Sequence, residues 1–317
     1  MAKNKIKNWA INVDKLKVCL NISDEIYEYL SENYTRIEII DNIPHRFIEE
    51  DDFFLVFSEE EETKMKADLN VRDVDGFFRL GTFVFHCGKK YKNKAFFSFE
   101  NSALYRTYMR TNDYPVNHIC DLLYVMSFYN MTFNNITEIE VAFDTNYNFI
   151  KKTRKMIKDI EKYDLYLNGK KVKDNDETLD GYGEYYNRTR LKMSKAPTLY
   201  FSQTKKTDMK MKVYDKAKEL QDQSQHKEER YKNWLGWDNF NEIYRVEIVL
   251  HNTNVREFID RYGERMYRDY GEHENVLRLL DFRDFRLAMF LDSCDRLIYF
   301  KDKKTQEKIS LLEIADL

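Results

Sequence analysis

Four short segments of this chain alternate apolar and polar residues with a period of two, and in each the polar half carries groups capable of chemistry. They are residues 138–144 (EIEVAFD), 198–202 (TLYFS), 209–216 (MKMKVYDK) and 244–251 (YRVEIVLH). Successive side chains of a strand point to opposite faces, so this pattern demands half-buried strands with one covered side. In 138–144, Ile139, Val141 and Phe143 oppose Glu138, Glu140, Ala142 and Asp144. In 244–251, Tyr244, Val246, Ile248 and Leu250 oppose Arg245, Glu247, Val249 and His251. Carboxylates crowded on one strand face repel one another unless a cation compensates them, which points to a hard metal ion or to basic partners. If the apolar sides of both strands pack on the same helices, Glu140, Asp144, Glu247 and His251 face one way.

In 209–216, Lys210, Lys212, Tyr214 and Lys216 share the polar face, so a tyrosine stands between lysines. A phenol with an ordinary pKa near 10 is a weak nucleophile at neutral pH, and adjacent positive charge favours the phenolate while attracting phosphate. Tyr200, on the polar side of 198–202, is the rival nucleophile. Residues 181–216 interleave basic residues with Tyr182, Tyr185, Tyr186, Tyr200 and Tyr214, a composition suited to a phosphate backbone and to stacking bases.

Further strands are expected at 15–22, 35–40, 53–57, 77–87 and 95–100. Ser23-Asp24-Glu25 reads as a helix start, and the acidic stretches 49–52 and 59–62 read as solvated loops. Pro115 opens an expected helix of about fifteen residues, followed by a basic helix over 149–163 carrying Lys151, Lys152, Arg154, Lys155 and Lys158. Asn168-Gly169 signals a hairpin and 174–183 a loop. From Val255 the pattern is mostly helical to about Leu291, with a short terminal hairpin or tail. Arg261, Arg265 and Arg268 recur there at helical spacing, either as a face directed at a DNA groove or as part of a solvated helix whose charge Glu257, Asp260, Glu264 and Asp269 dilute. The fold class implied is α+β: a central, largely antiparallel sheet with helices packed on one face, plus a helical C-terminal region. The expected divisions are a β-rich half over 1–130, a catalytic half over 131–254, and a recognition or dimerisation element over 255–317.

The chain has 317 residues and a net charge of -3 from 52 basic and 55 acidic residues, so any nucleic-acid surface must be a local patch. Cys19, Cys87, Cys120 and Cys294 lack paired spacing and read as reduced thiols. The first fifteen residues have no signal core, and no run approaches the roughly 18 apolar residues of a membrane span. A soluble, cytoplasmic protein with no membrane partner is expected.

Taken in order, EIEVAFD, TLYFSQ, KVYDK and YRVEIVL resemble the Rep_trans replication initiators of rolling-circle plasmids and phages, notably the staphylococcal plasmid Rep proteins. The resemblance spans residues 130–255, and the chain departs from it at Glu138, Glu140 and Ser202. It implies that Tyr214 forms a covalent bond with DNA and that Lys216 and Arg245 assist at the phosphate. It also implies that Glu140, Asp144 and Glu247 hold Mg2+ or Mn2+. Tyr200, Lys210, Lys212, Arg261 and Arg265 are then candidate DNA contacts. The implied partners are origin DNA, single-stranded or as an extruded hairpin, a second copy in a homodimer, and host helicase and polymerase. The residues alone leave two alternatives: a metal-dependent nuclease that hydrolyses DNA with water, and a non-enzymatic DNA-binding regulatory protein.

Overall fold

A computed structural model describes the chain except for residues 1–7, 41–42, 51, 62–63, 74–75, 87–90, 92, 110–117, 173–197, 203–208, 224–230, 232–234, 238–241, 268–275, 312 and 314–317. In chain order the elements begin with β1 (Trp9–Asn21), α1 (Asp24–Glu32), β2 (Arg36–Ile40), β3 (Ile43–Glu50), β4 (Phe53–Glu61) and β5 (Lys64–Asp73). Next come β6 (Gly76–His86), β7 (Lys94–Phe99), α2 (Asn101–Met109), α3 (Asp121–Phe128), β8 (Thr132–Thr145) and α4 (Phe149–Lys158). After these lie β9 (Tyr163–Leu167), β10 (Lys170–Lys171), β11 (Leu199–Ser202), β12 (Met209–Asp215), α5 (Lys216–Gln223) and β13 (Tyr244–His251). The chain closes with α6 (Asn252–Tyr267), α7 (Val276–Leu280), α8 (Arg283–Leu297), β14 (Ile298–Asp302) and β15 (Lys308–Ser310). The fold is α+β with mostly antiparallel strands, in agreement with the sequence expectation.

The chain forms two compact units, each assembled from separate segments. The first comprises Met1–Asn12, Glu140–Arg261 and Arg283–Leu317; the second comprises Val13–Ile139 and Tyr262–Phe282. In the first unit the strand order is β11-β12-β13-β8. β12 runs antiparallel to both β11 and β13, placing Tyr200 opposite Lys212, Lys212 opposite Glu247, and Tyr214 opposite Arg245. The alternate residues form the core: Leu199, Phe201, Met211, Val213, Val246, Ile248, Leu250, Val141 and Phe143 are buried. Helices α4 and α8 pack against β12 and β13. α4 offers Phe149, Ile150, Met156 and Ile157 to the interior, and Asn148 caps it by accepting a hydrogen bond from the Lys151 N–H at 2.9 Å. Phe143 ties these layers together, stacking on Trp9 and Phe290 at 5.6 and 5.3 Å between ring centroids and meeting Phe149 edge-on.

A smaller sheet in the same unit has the order β10-β9-β14-β15. Its β9–β10 hairpin turns at Asn168 and Gly169, with φ of 53° and 76°, the left-handed pair that the Asn-Gly signal demands. The C-terminal hairpin of β14 and β15 joins this sheet through β9.

The second unit is dominated by a sheet of order β1-β7-β6-β5-β4-β3-β2, antiparallel throughout. Its centre is a run of phenylalanines, with Phe83 against Phe97 and Phe85 at 4.6 and 5.5 Å. Gly81 is required where β6 meets β7, because a methyl group there would overlap the Ser98 carbonyl and the Phe97 ring. α1 starts as expected, with the Ser23 hydroxyl accepting from the Ile26 N–H. β3 and β5 differ from the sequence reading, which places no strands there. Glu49, Glu50 and Glu59–Glu61, expected in solvated loops, lie on strands, and Glu49 pairs with Arg36 and Arg72 at 3.2 and 3.3 Å. Charges that meet opposite charges across strands are compatible with a sheet surface. α3 begins at Asp121 and is shorter than expected; Pro115 lies outside the described residues, as do Cys87, the 174–183 loop, Tyr182, Tyr185 and Tyr186.

Phe143→Ala should leave three aromatic rings without their common neighbour and destabilise by about 3–5 kcal/mol. Urea unfolding of wild type and variant measures this directly.

Candidate active site

The polar face of the first unit's sheet holds two adjoining clusters, fixed by strand register. At one end is a fully buried ion pair. Arg245 Nε and Nη2 donate to Asp144 Oδ1 and Oδ2 at 2.8 and 2.9 Å, and both side chains have 0% exposure. Arg245 Nη2 also donates to the Tyr231 hydroxyl at 3.1 Å. A forked, two-bond contact of this kind satisfies both charges where no water can.

Two residues along β13 from Arg245, and four along β8 from Asp144, lie Glu247 and Glu140. The Lys212 ammonium reaches both, at 3.5 Å from Glu247 and 3.3 Å from Glu140. The carboxylate side chains are 5% and 10% exposed, and the lysine is 37% exposed. Burial pulls the Lys212 pKa down, but the Glu247 and Glu140 carboxylates outweigh that and hold it above the ordinary lysine value. Carboxylates thus outnumber the one ammonium in a mostly buried place, with oxygen donors of the type that hard divalent cations select. Glu140 and Glu247 are therefore able to contribute oxygens to such an ion, and the Lys212 ammonium lies within reach of both.

Tyr214 stands on this face, half-buried, directly across from Arg245. β12 ends at Asp215, whose Oδ1 accepts the Lys218 N–H at 3.0 Å and starts α5. Lys216 is thus the first helical residue, not the next strand residue, yet its ammonium still lies 5.8 Å from the centre of the Tyr214 ring and 5.7 Å from that of Tyr231. It is paired with Glu219 at 2.6 Å.

Several sequence expectations change on this geometry. Asp144 is committed to Arg245, which leaves Glu140 and Glu247 of the three carboxylates expected to hold a metal. Arg245 is sealed by the same pair and cannot reach a phosphate. Lys212 is held by two carboxylates and does not present its charge outward as a DNA contact. Tyr200 is 39% exposed on β11 and Lys210 is exposed on β12. Arg261 does not offer a cationic face: it forks onto Asp292 at 3.0 and 2.7 Å and donates to the Glu257 carbonyl, while Arg296 bonds Glu257 at 2.6 Å. That part of α6 is bound to α8 by compensated charge. The Arg265 side chain and Arg268 lie outside the described residues.

No family model matches the chain, and no curated protein sequence matches it. Among solved structures it is similar to a rolling circle replication initiator protein from Geobacillus stearothermophilus, at 13% identity and a TM-score of 0.41, over 90% of this chain and 97% of that one. A likeness at that level transfers neither an activity nor a residue role.

Tyr231 is a residue of this face that sequence reasoning missed. It lies between patterned segments, and only the tertiary fold brings its hydroxyl to Arg245. The Arg245–Asp144 pair yields a prediction. Asp144→Asn or Arg245→Met alone should cost about 3–5 kcal/mol by stranding a buried charge, whereas the double change Asp144→Leu/Arg245→Met should recover most of it. A double-mutant cycle by chemical denaturation reads the difference.

Proposed function

We propose that this chain cuts and rejoins one strand of DNA, with Tyr214 as the attacking group. It would act as an initiator of rolling-circle replication at an origin, the role implied by the order of its four motifs. The observation that carries the reading is the placement of Tyr214 on one strand face beside a lysine ammonium and an adjoining carboxylate pair suited to a divalent cation. A structural tyrosine of this sheet needs neither neighbour.

The chemistry is a transesterification. The Tyr214 hydroxyl loses its proton and its oxygen bonds to the scissile phosphorus. The bond from phosphorus to the 3′ oxygen breaks, and that oxygen takes up a proton. One phosphoester replaces another, so the energy is retained in a 5′-phosphotyrosine and the step can run backwards to rejoin the strand. Lys216, close to the phenol ring, favours the phenolate and the charge developing on phosphate. The Arg245–Asp144 pair and Tyr231 position that part of the sheet and take no part in the bond changes. Glu140 and Glu247 are the residues that would hold Mg2+ or Mn2+; when bound, such an ion withdraws charge from a nonbridging phosphate oxygen. Lys212 must give way for it to bind. Tyr200, across from Lys212 and open to solvent, would stack on a base near the cut.

Two measurements test the reading. Incubated with single-stranded oligonucleotides and Mg2+, the wild type should yield a DNA fragment that migrates with protein on a denaturing gel, and Tyr214→Phe should yield none. Cleavage with no linked protein would replace the tyrosine mechanism by hydrolysis. Independently of activity, Lys212→Met should tighten Mn2+ binding by about tenfold or more, roughly 1.4 kcal/mol, because it removes the competing ammonium. Glu140→Gln/Glu247→Gln should abolish binding in a calorimetric titration; unchanged Mn2+ affinity in both variants would place the ion elsewhere.

A further inference from the structure

At the end of β12 where the chain turns into α5, the first unit has a concave surface of about 660 Å³. Its lining includes Lys151, Arg154, Lys155 and Lys158 of α4, Lys218 of α5, and one carboxylate, Asp215. Asp215 is already engaged as the acceptor for the Lys218 N–H. The cations here differ from those of the catalytic face. There Lys212, Lys216 and Arg245 bond carboxylates, whereas no ion pair engages Lys151, Lys155, Lys158 or Lys218 among the described residues. Five cations and one carboxylate thus share a concavity in a chain whose net charge is -3. Like charges gathered around a single carboxylate repel one another, and a bound polyanion relieves that repulsion.

The shape of the charge says which polyanion. Lys151, Lys155 and Lys158 follow one face of α4 at spacings of four and three residues and extend over about 10 Å of helix, the length in which a nucleic-acid strand presents two or three phosphates. Tyr244, half-buried, lines the same surface and offers a ring to an unpaired base. Burial, with Asp215 and Glu242 nearby, raises its pKa above the ordinary tyrosine value, so it stays a neutral phenol. We propose that this surface is a track for the backbone of single-stranded DNA, holding the strand on the helix-covered side of the sheet, at the end of β12 where Asp215 follows Tyr214. This rests on the reading of the chain as a DNA-cutting enzyme, and it assigns to α4 the charge-neutralising role that Arg261 of α6 does not fill.

The test measures single-stranded oligonucleotide binding as a function of salt for wild type and for Lys151→Gln/Lys155→Gln/Lys158→Gln. The three ammonium groups are exposed, so the variant should melt with the wild type, and a triple arginine variant should restore binding. The logarithmic salt slope of the glutamine variant should be shallower by about 2, at about 0.7 for each phosphate that is no longer neutralised. Its affinity should fall alike for unrelated sequences, while adduct formation at saturating DNA persists. An unchanged slope would overturn the track and leave the tyrosine mechanism standing; a loss confined to duplex DNA would overturn it as well. If ATP or inorganic triphosphate saturates the surface without displacing the oligonucleotide, the site belongs to a free nucleotide and the proposal fails. No binding by the wild type at any salt would defeat both this proposal and the reading beneath it.

Discussion

The polar face of the first unit's sheet is organised by one buried interaction, the fork between Arg245 and Asp144. Neither residue is exposed, and the contact holds only if β8 and β13 keep their register. A slip by one residue would bury a charge against apolar side chains and turn Val246 and Phe143 to the polar side, so the pair and the core enforce the same alignment. With register fixed, the rest of the face follows. Tyr214 falls opposite Arg245, and Glu247 and Glu140 fall together under Lys212.

Charge compensation then divides the cations into two kinds. On the polar face, Lys212, Lys216 and Arg245 are bonded to carboxylates. Lys212 bonds two carboxylates, and their charge holds its pKa above the ordinary lysine value despite burial. Lys151, Lys155 and Lys158 along α4 have no ion-pair partner among the described residues and are available for an external anion. An acidic protein can in this way present a local cationic surface without a basic overall charge.

Much of the sheet is legible in the sequence because alternation has a physical cause: one face packs, the other does not. It places β8, β11, β12 and β13, and Asn168-Gly169 marks a hairpin. It fails at β3 and β5, where acidic and basic side chains stand on a strand surface and meet across it, a pattern that resembles loop polarity until the partners are known. For the site, alternation assigns Glu140, Asp144, Glu247 and Tyr214 to polar faces but does not say who meets whom. Asp144 goes to Arg245 rather than to a shared carboxylate cluster, because pairing depends on register between strands distant in sequence. Alternation also carries the strand on to Lys216, because Asp215 acts as a helix cap only in the folded chain. Tyr231 has no pattern around it.

If Tyr214 alone among the phenols of the chain attacks DNA, mass spectrometry of the DNA-linked protein will locate the bond there. Trypsin digestion of the adduct, after nuclease trimming of the DNA, should place the nucleotide on the peptide of residues 213–216, at Tyr214. A nucleotide found on the peptide containing Tyr200, or on no tyrosine of the chain, would contradict the account.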